Sequence, residues 1–230
     1  MTAVSDEQST ELLTEHRHTM HVLLFGASGR IGRRITDELL SRDHEVTGVS
    51  RSGDIEGVDD PDFEAVAGDA TDPNDVAALA EGHDAVASAL GPSEDEGVDV
   101  LVEMAEAVVE GLQETGVDRL VWTGGAGVLE VAPGTRLVDT EEFPDEWEPV
   151  ARAAIDAYGV IESSALDWTY LAPAALIEPG ERTGEYRTSD GELVVDDDGD
   201  SYISMEDFAV AFVDELENEE GVRTLRGVGY

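Results

Sequence analysis

The 230-residue sequence contains no cysteine and no lysine. Without cysteine there is no disulfide, no thiolate nucleophile and no zinc–thiolate site. Without lysine, Schiff-base chemistry is impossible, and so is any proton relay through an ammonium group. All 13 basic residues are arginines. No apolar run approaches the ~20 residues that a bilayer-spanning helix requires, and the first residues are too polar for a secretory signal. A cytoplasmic location is expected, with no membrane partner. Positive charge is scarce: 54 acidic residues against 13 arginines leave a formal net charge of −41. No basic stripe exists to neutralise phosphates, so neither DNA nor RNA is an expected partner. The tryptophans, Trp122, Trp147 and Trp168, stand too far apart for an aromatic nucleic-acid platform and read as core or cleft walls.

The carboxylates are dispersed between apolar periodic segments and are not gathered in a tail. This composition indicates a folded core under an acidic, lysine-free surface, resembling proteins of high-salt cytoplasms. At low salt the self-repulsion of such a surface destabilises the compact state. The length suits one α/β domain with a full core. Residues 1–19 are polar and without periodicity, a flexible tail ahead of a single domain over 20–230, and Met20 could be the natural start. His16 and His18 lie in that tail with no third ligand nearby, so no metal site is expected. Asp196, Asp197, Asp198 and Asp200 flank Gly199 in the manner of a calcium loop. Counting back from the glycine puts Val194 at the first ligand position, so a solvated acidic turn is expected instead.

What the chain does contain is concentrated between Val22 and Gly32, VLLFGASGRIG. Val22 to Phe25 form an unbroken apolar run, the pattern of a parallel strand buried on both faces. The run ends at Gly26, turns through Ala27, Ser28 and Gly29, and enters a segment where Ile31, Ile35 and Leu39 recur at helical spacing. A strand, a glycine-rich turn and a helix N-terminus make an anion site: glycines allow close backbone approach, and free N–H groups with the helix dipole favour negative charge. The glycines are spaced GxxGxxG, where the standard dinucleotide fingerprint is GxGxxG. A purely structural αβ turn is the alternative reading.

Further along, strands are expected at Glu45–Ser50, Phe63–Ala67, Ala85–Leu90, Arg119–Thr123 and Asp167–Ala172. Between them lie helices over Pro73–Ala80, capped by Asp72, and Val100–Leu112, with another running from Pro149 to about Ser164. Residues 128–149 read as a loop. A hairpin between Tyr186 and Val195, a helix over Met205–Leu216 and a short strand near Arg223–Leu225 complete the chain. This alternation is the signature of a doubly wound parallel sheet, with a small C-terminal lobe on the substrate side.

The segments GASGRIG from Gly26, VSR ending at Arg51, AGDATD around Asp69, ASALG ending at Gly91, TGGAG from Thr123 and LDWTYLAPA from Leu166 together resemble one family. It is the atypical short-chain dehydrogenase/reductases of the NAD(P)H-binding group, which includes NmrA-like proteins, biliverdin reductase B and bacterial NADH-flavin reductases. IEPGERTGEY from Ile177 and ISMEDFAVAFVDELE from Ile203 are similar to the tail of the flavin-reductase-like subgroup. The resemblance implies a Rossmann-like fold and a bound NAD(P)(H). It implies that Gly26, Ser28, Gly29, Arg30 and Ile31 line the pyrophosphate turn and that Asp69 and Ala70 contact adenine. Leu90 and Gly91 would lie beside the cofactor, and Thr123 and Gly124 near the nicotinamide. Arg51 stands where NAD-preferring proteins place an acid for the ribose 2′-hydroxyl, and an arginine there suits a 2′-phosphate, so NADP(H) is expected over NAD(H).

The catalytic positions depart from the short-chain dehydrogenase pattern. Its Tyr-x-x-x-Lys pair is represented by Tyr158 and Glu162, and a glutamate disfavours a tyrosinate. Tyr158 therefore reads as structural or substrate-facing. The serine that biliverdin reductase B carries after the fifth strand falls on Gly124 or Gly125. No catalytic residue is assigned. Hydride transfer to a flavin or quinone-like small acceptor needs chiefly that two rings be positioned, and is the expected activity. The alternatives are a non-catalytic NADP-sensing regulator of the NmrA type and, less favoured without the Tyr-Lys pair, a sugar-nucleotide epimerase or dehydratase.

Overall fold

The computed structural model describes residues 19–93, 97–218 and 222–230. His16, His18 and nearly all of the expected tail lie outside the described residues. The first half runs β1 (His21–Phe25), α1 (Arg30–Ser41), β2 (Glu45–Ser50), β3 (Phe63–Ala67), α2 (Pro73–Ala80), β4 (Ala85–Ser88), α3 (Val100–Gln113) and β5 (Arg119–Thr123). The second half adds β6 (Glu130–Ala132), β7 (Thr135–Arg136), α4 (Glu148–Glu162), β8 (Asp167–Pro173), β9 (Leu176–Glu178), β10 (Arg187–Asp190), β11 (Tyr202–Ser204), α5 (Met205–Glu217) and β12 (Thr224–Gly229).

The main sheet has the strand order β10-β12-β8-β5-β4-β1-β2-β3. All its pairings are parallel except that of β10 with β12. Val22, Leu23, Leu24 and Phe25 are wholly buried in β1, which explains the unbroken apolar run: helices cover both faces, so no residue faces water. On one face α1 and α5 bury Ile35, Leu39, Phe208 and Phe212 against the sheet. On the other, α2, α3 and α4 bury Val76, Val108, Leu112 and Ile161. The chain builds outward from β1 to β3, then crosses back to place β4 on the other side of β1. The strand order reverses there, and in open α/β sheets that reversal opens a crevice beyond the carboxyl ends of the strands.

Asp72 caps α2 by accepting the Asn74 N–H at 2.9 Å, with Pro73 in the first turn. The fourth strand stops at Ser88, short of Leu90. Its partner β1 turns away at Gly26, and the last paired residues are Phe25 and Ser88. The hairpin expected between Tyr186 and Val195 does not form. Arg187–Asp190 pairs antiparallel with β12, and Glu192 bridges to Glu130. Held between β8 and β10, β12 runs to Gly229, well past Leu225. The C-terminal lobe is reduced to the parallel pair β9–β11 and its flanking loops. At the acidic turn, the Asp196 carboxylate accepts the N–H groups of Asp198 at 2.9 Å and Asp200 at 2.8 Å.

A buried ion cluster joins α1 to α5. Arg42, whose side chain is 7% exposed, reaches Glu38 at 2.7 Å, Asp214 at 2.6 Å and Glu217 at 2.7 Å. Arg182 adds a second cation to Glu38 at 2.7 Å. His44 accepts the Met20 N–H on Nδ1, so its proton sits on Nε2, 3.1 Å from Glu217. Burial alone would raise the Glu38 carboxyl, but the bonds from Arg182 and Arg42 outweigh it and hold the group below the usual carboxylate range. Two of the 13 arginines are thus committed to the contact between one pair of helices.

Candidate active site

The crevice beyond β1 and β4 is a groove of about 710 Å3. Gly26, Ser28, Gly29, Arg30, Ile31, Arg51, Asp69, Ala70, Leu90, Gly91, Thr123 and Gly124 all line it. Residues from five separate strand ends thus meet on one surface, as the sequence reading requires.

The glycines of the turn have different jobs. Gly26 has a φ of +78°, and a β-carbon there would lie 2.5 Å from the Ala89 carbonyl oxygen. A β-carbon on Gly32 would lie 2.1 Å from the Gly26 carbonyl oxygen. These two residues let strand, turn and helix touch. Gly29 is unlike them: it has an ordinary φ of −71° and is the N-cap of α1, with no side-chain cap. A β-carbon at Gly29 would meet only the Gly26 oxygen, at 3.2 Å. The groove therefore faces an uncapped helix N-terminus, whose N–H groups and dipole attract anions. Arg33, a residue the sequence reading missed, steadies this turn from behind, donating to the Ser28 carbonyl at 3.1 Å and the Glu56 carbonyl at 2.9 Å.

Arg30 and Arg51 are the cationic side chains on the described wall, and Asp69 is the acidic one. The Asp69 carboxylate accepts the Thr71 hydroxyl at 2.7 Å and the Thr71 N–H at 2.9 Å. These bonds from Thr71 hold it below the usual carboxylate range, with Arg51 contributing a smaller electrostatic effect in the same direction. Its side chain thereby shapes the loop between β3 and α2. At the far end of the groove, the Thr123 hydroxyl is buried without a hydrogen-bond partner among the described residues.

A second cavity of about 470 Å3 opens directly off the groove. The two share Ile31, Leu90, Gly91, Pro92, Thr123 and Gly124, so they form one continuous cleft. Its remaining walls come from the β5 end, α4, the segment after β8, and the 137–147 stretch that the sequence showed only as a loop. Trp122 and Trp147 both line this cavity; Trp122 is buried and Trp147 is 51% exposed. The available signal was the apolar content of Phe143, Pro144 and Trp147 inside an acidic loop. Met104 and Met205 on the groove wall left no comparable trace.

Tyr158 lines neither cavity. It is buried edge-on against Trp168 and Tyr170, with ring centroids 5.9 and 4.9 Å away. Its hydroxyl donates to Glu162 at 2.8 Å. Burial, reinforced by Glu162, pushes the phenol well above its ordinary pKa. Away from the cleft, Tyr158 and Glu162 border a separate hollow of about 480 Å3, so this residue packs in the core without facing the groove or the apolar cavity. Gly124 is fixed by packing: a β-carbon there would lie 2.1 Å from the Tyr170 ring, whereas at Gly125 it would meet nothing within 4 Å.

Residues 26–219 match the NAD(P)H-binding family. The chain belongs to that family. It is 48% identical to a Burkholderia pseudomallei protein named "Putative exported protein", covering 92% of this chain and 100% of that one, with a TM-score of 0.84. A Bacteroides thetaiotaomicron protein named as a "putative epimerase" is 34% identical, covering 93% and 98% of the two chains, with a TM-score of 0.85. A Streptococcus pneumoniae TIGR4 protein named as a "putative NADH-flavin reductase" is 29% identical, covering 91% and 99%, with a TM-score of 0.80. The names differ while the fold is shared, so chemistry must be argued from the cleft. Among the described residues no helix is long and apolar enough to cross a membrane.

Proposed function

We propose that this NAD(P)H-binding protein is a cytoplasmic, NADPH-dependent reductase that delivers a hydride to a small flavin or quinone-like acceptor. The observation that carries this reading is the single cleft with a polar groove at one end and an apolar cavity at the other. The groove fits a dinucleotide. The uncapped N-terminus of α1 would take the pyrophosphate, Arg51 the 2′-phosphate with Arg30 beside it, and the Asp69–Ala70 segment the adenine. Leu90 and Gly91 would flank the cofactor, and Thr123 and Gly124 would border the nicotinamide. The unpartnered Thr123 hydroxyl is a donor available to hold that ring's orientation. When bound, NADPH supplies two electrons and a proton as a hydride; the second proton reaches the reduced acceptor from water. The chain's own residues then bind, orient and exclude water: Ile31, Leu90 and Pro92 form an apolar collar where the two cavities meet.

The structural neighbour with the flavin-reductase name supports this reading, and so does the absence of a tyrosine–lysine pair that an epimerase would want. NADPH oxidation in the presence of riboflavin, FMN and quinones tests it. Binding of NADPH with no turnover of any acceptor would favour the cofactor-sensing regulator instead.

Two outcomes follow for single residues. Tyr158→Phe should retain activity to within about tenfold, some 1.4 kcal/mol of barrier, because its hydroxyl faces Glu162 and not the cleft. A loss of three or more orders of magnitude at unchanged cofactor affinity would restore a tyrosine mechanism. Arg51→Ala should erase most of a preference for NADPH over NADH, about tenfold or more for one charge-assisted bond, while barely changing NADH affinity. NADPH is itself anionic, so its affinity for a chain of charge −41 should rise from low to molar KCl. Over that range the screening length falls from about 10 Å at 0.1 M to 3 Å at 1 M. Calorimetry across a salt series on both proteins reads these effects. Tighter NADH binding by the parent would sink the role given to Arg51, and affinity falling steadily with salt would sink the repulsion argument.

A further inference from the structure

The two ends of the cleft differ in a way that bears on the acceptor itself. The groove offers Arg30, Arg51 and a helix N-terminus to negative charge. The apolar cavity has no arginine or histidine on its described wall, and its one charged side chain there is Glu142, exposed at the rim. Its other polar side chains are largely committed. The Thr140 hydroxyl donates to the Leu137 carbonyl at 2.8 Å, and the Tyr170 hydroxyl to the Ala154 carbonyl at 3.0 Å.

An acceptor carrying a phosphate would have to bring that charge past Glu142, or leave it in the field of a strongly acidic chain with no cation to pair it. Desolvating an unpaired charge is costly, whereas a neutral ring entering the cavity gives up only weakly held water. The cavity volume lies within the ~300–1,000 Å3 of small-molecule sites. Trp147, half in solvent at the lip, presents a large planar surface to the cavity. With Phe143, four residues earlier, on the same wall, it suits a flat aromatic ligand.

Resting on the reductase reading above, we propose that the acceptor is an uncharged planar ring system, an unphosphorylated flavin or a neutral quinone, held at Trp147 and Phe143. Phosphorylated flavins are discriminated against by Glu142 and the lack of a cation. Gating by charge here is separate from cofactor recognition, since the anion-binding groups all lie at the other end.

Titration of the protein with saturating NADP+, followed by flavin and tryptophan fluorescence, compares riboflavin and menadione with FMN at about 1 M KCl, where long-range repulsion is screened. FMN should bind about tenfold or more weaker than riboflavin, with kcat/KM in the same order. Trp147→Ala should weaken riboflavin about fivefold or more at unchanged melting temperature. Glu142→Arg should narrow the riboflavin-to-FMN ratio to about threefold or less. Binding of one neutral ring but not the other supports the proposal and identifies the ring. FMN binding as tightly as riboflavin overturns it, and if FMN is then reduced the reductase reading stands. Selective riboflavin binding without NADPH oxidation supports the pocket chemistry and overturns the reductase reading. Failure of both neutral rings to bind overturns the proposal.

Discussion

Gly29→Asp is expected to lower NADPH affinity by more than about 100-fold, or 2.7 kcal/mol, while leaving the melting temperature unchanged or slightly raised. The two halves of this result come from the same position. Gly29 is the N-cap of α1, with ordinary dihedral angles and room for a β-carbon at the cost of one 3.2 Å contact. Aspartate is among the best N-cap residues, since its carboxylate accepts the N–H of the second or third helical residue and complements the dipole. A pyrophosphate at this turn would use those same N–H groups, so the carboxylate would both occupy the donors and repel the ligand. Gly32→Val provides the contrast, because its β-carbon would lie 2.1 Å from the Gly26 carbonyl oxygen and the strand–helix contact itself would open. Fluorescence titration with NADPH, paired with thermal melts, separates the variants. Unchanged affinity in a folded Gly29→Asp protein would remove the proposed cofactor site.

Arg42→Ala should cost about 3–5 kcal/mol of folding stability, the range for breaking a buried ion pair by removing one partner. Arg42 is 7% exposed and bonds Glu38, Asp214 and Glu217. Its loss leaves three carboxylates facing one another at the α1–α5 contact, with Arg182 reaching only Glu38. The pH dependence has a definite sign. The Glu38 pKa is lowered in the fold, so its contribution is fully present above the unfolded carboxylate range near 4.3. That contribution is lost as pH falls through the lower folded value. The gap between parent and variant should therefore be widest at neutral pH and narrow in acid, as Glu38 protonates. Denaturant unfolding at neutral and acidic pH checks this, and a cost below about 1 kcal/mol would mean the cluster is as weak as an exposed pair.

The parts of the site that were legible in the sequence are those built from contiguous residues. The run Val22–Phe25, the glycine turn and the Ile31–Ile35–Leu39 spacing declare strand, turn and helix because each is fixed by neighbours a few positions away. Arg51, Leu90 and Thr123 could be placed because they stand at or just past strand ends, and parallel strands bring those ends to one edge. What escaped depends on partners distant in the chain. Arg187–Asp190 looks like half of a local hairpin, yet β12 offers a better edge. The apolar cavity is assembled from the 137–147 segment, α4 and the residues after β8, and no period in any one of them announces a shared wall. Of the buried ion cluster only the Glu38–Arg42 spacing of one helical turn was visible. Arg182, Asp214 and Glu217 join it through the docking of α5.

The Tyr170 ring fills the space that any side chain at position 124 would need, and its hydroxyl is anchored to the Ala154 carbonyl. For descendants of this sequence the two positions are therefore inherited as a unit. A hydroxyl-bearing residue at 124 becomes accessible only after Tyr170 has been replaced by something smaller, an intermediate with a hole between β8 and α4. One position along, Gly125 faces open space, so a single substitution could place a serine at the mouth of the apolar cavity. A proton donor is thus accommodated at 125 without repacking, whereas at 124 it first requires loss of the Tyr170 ring.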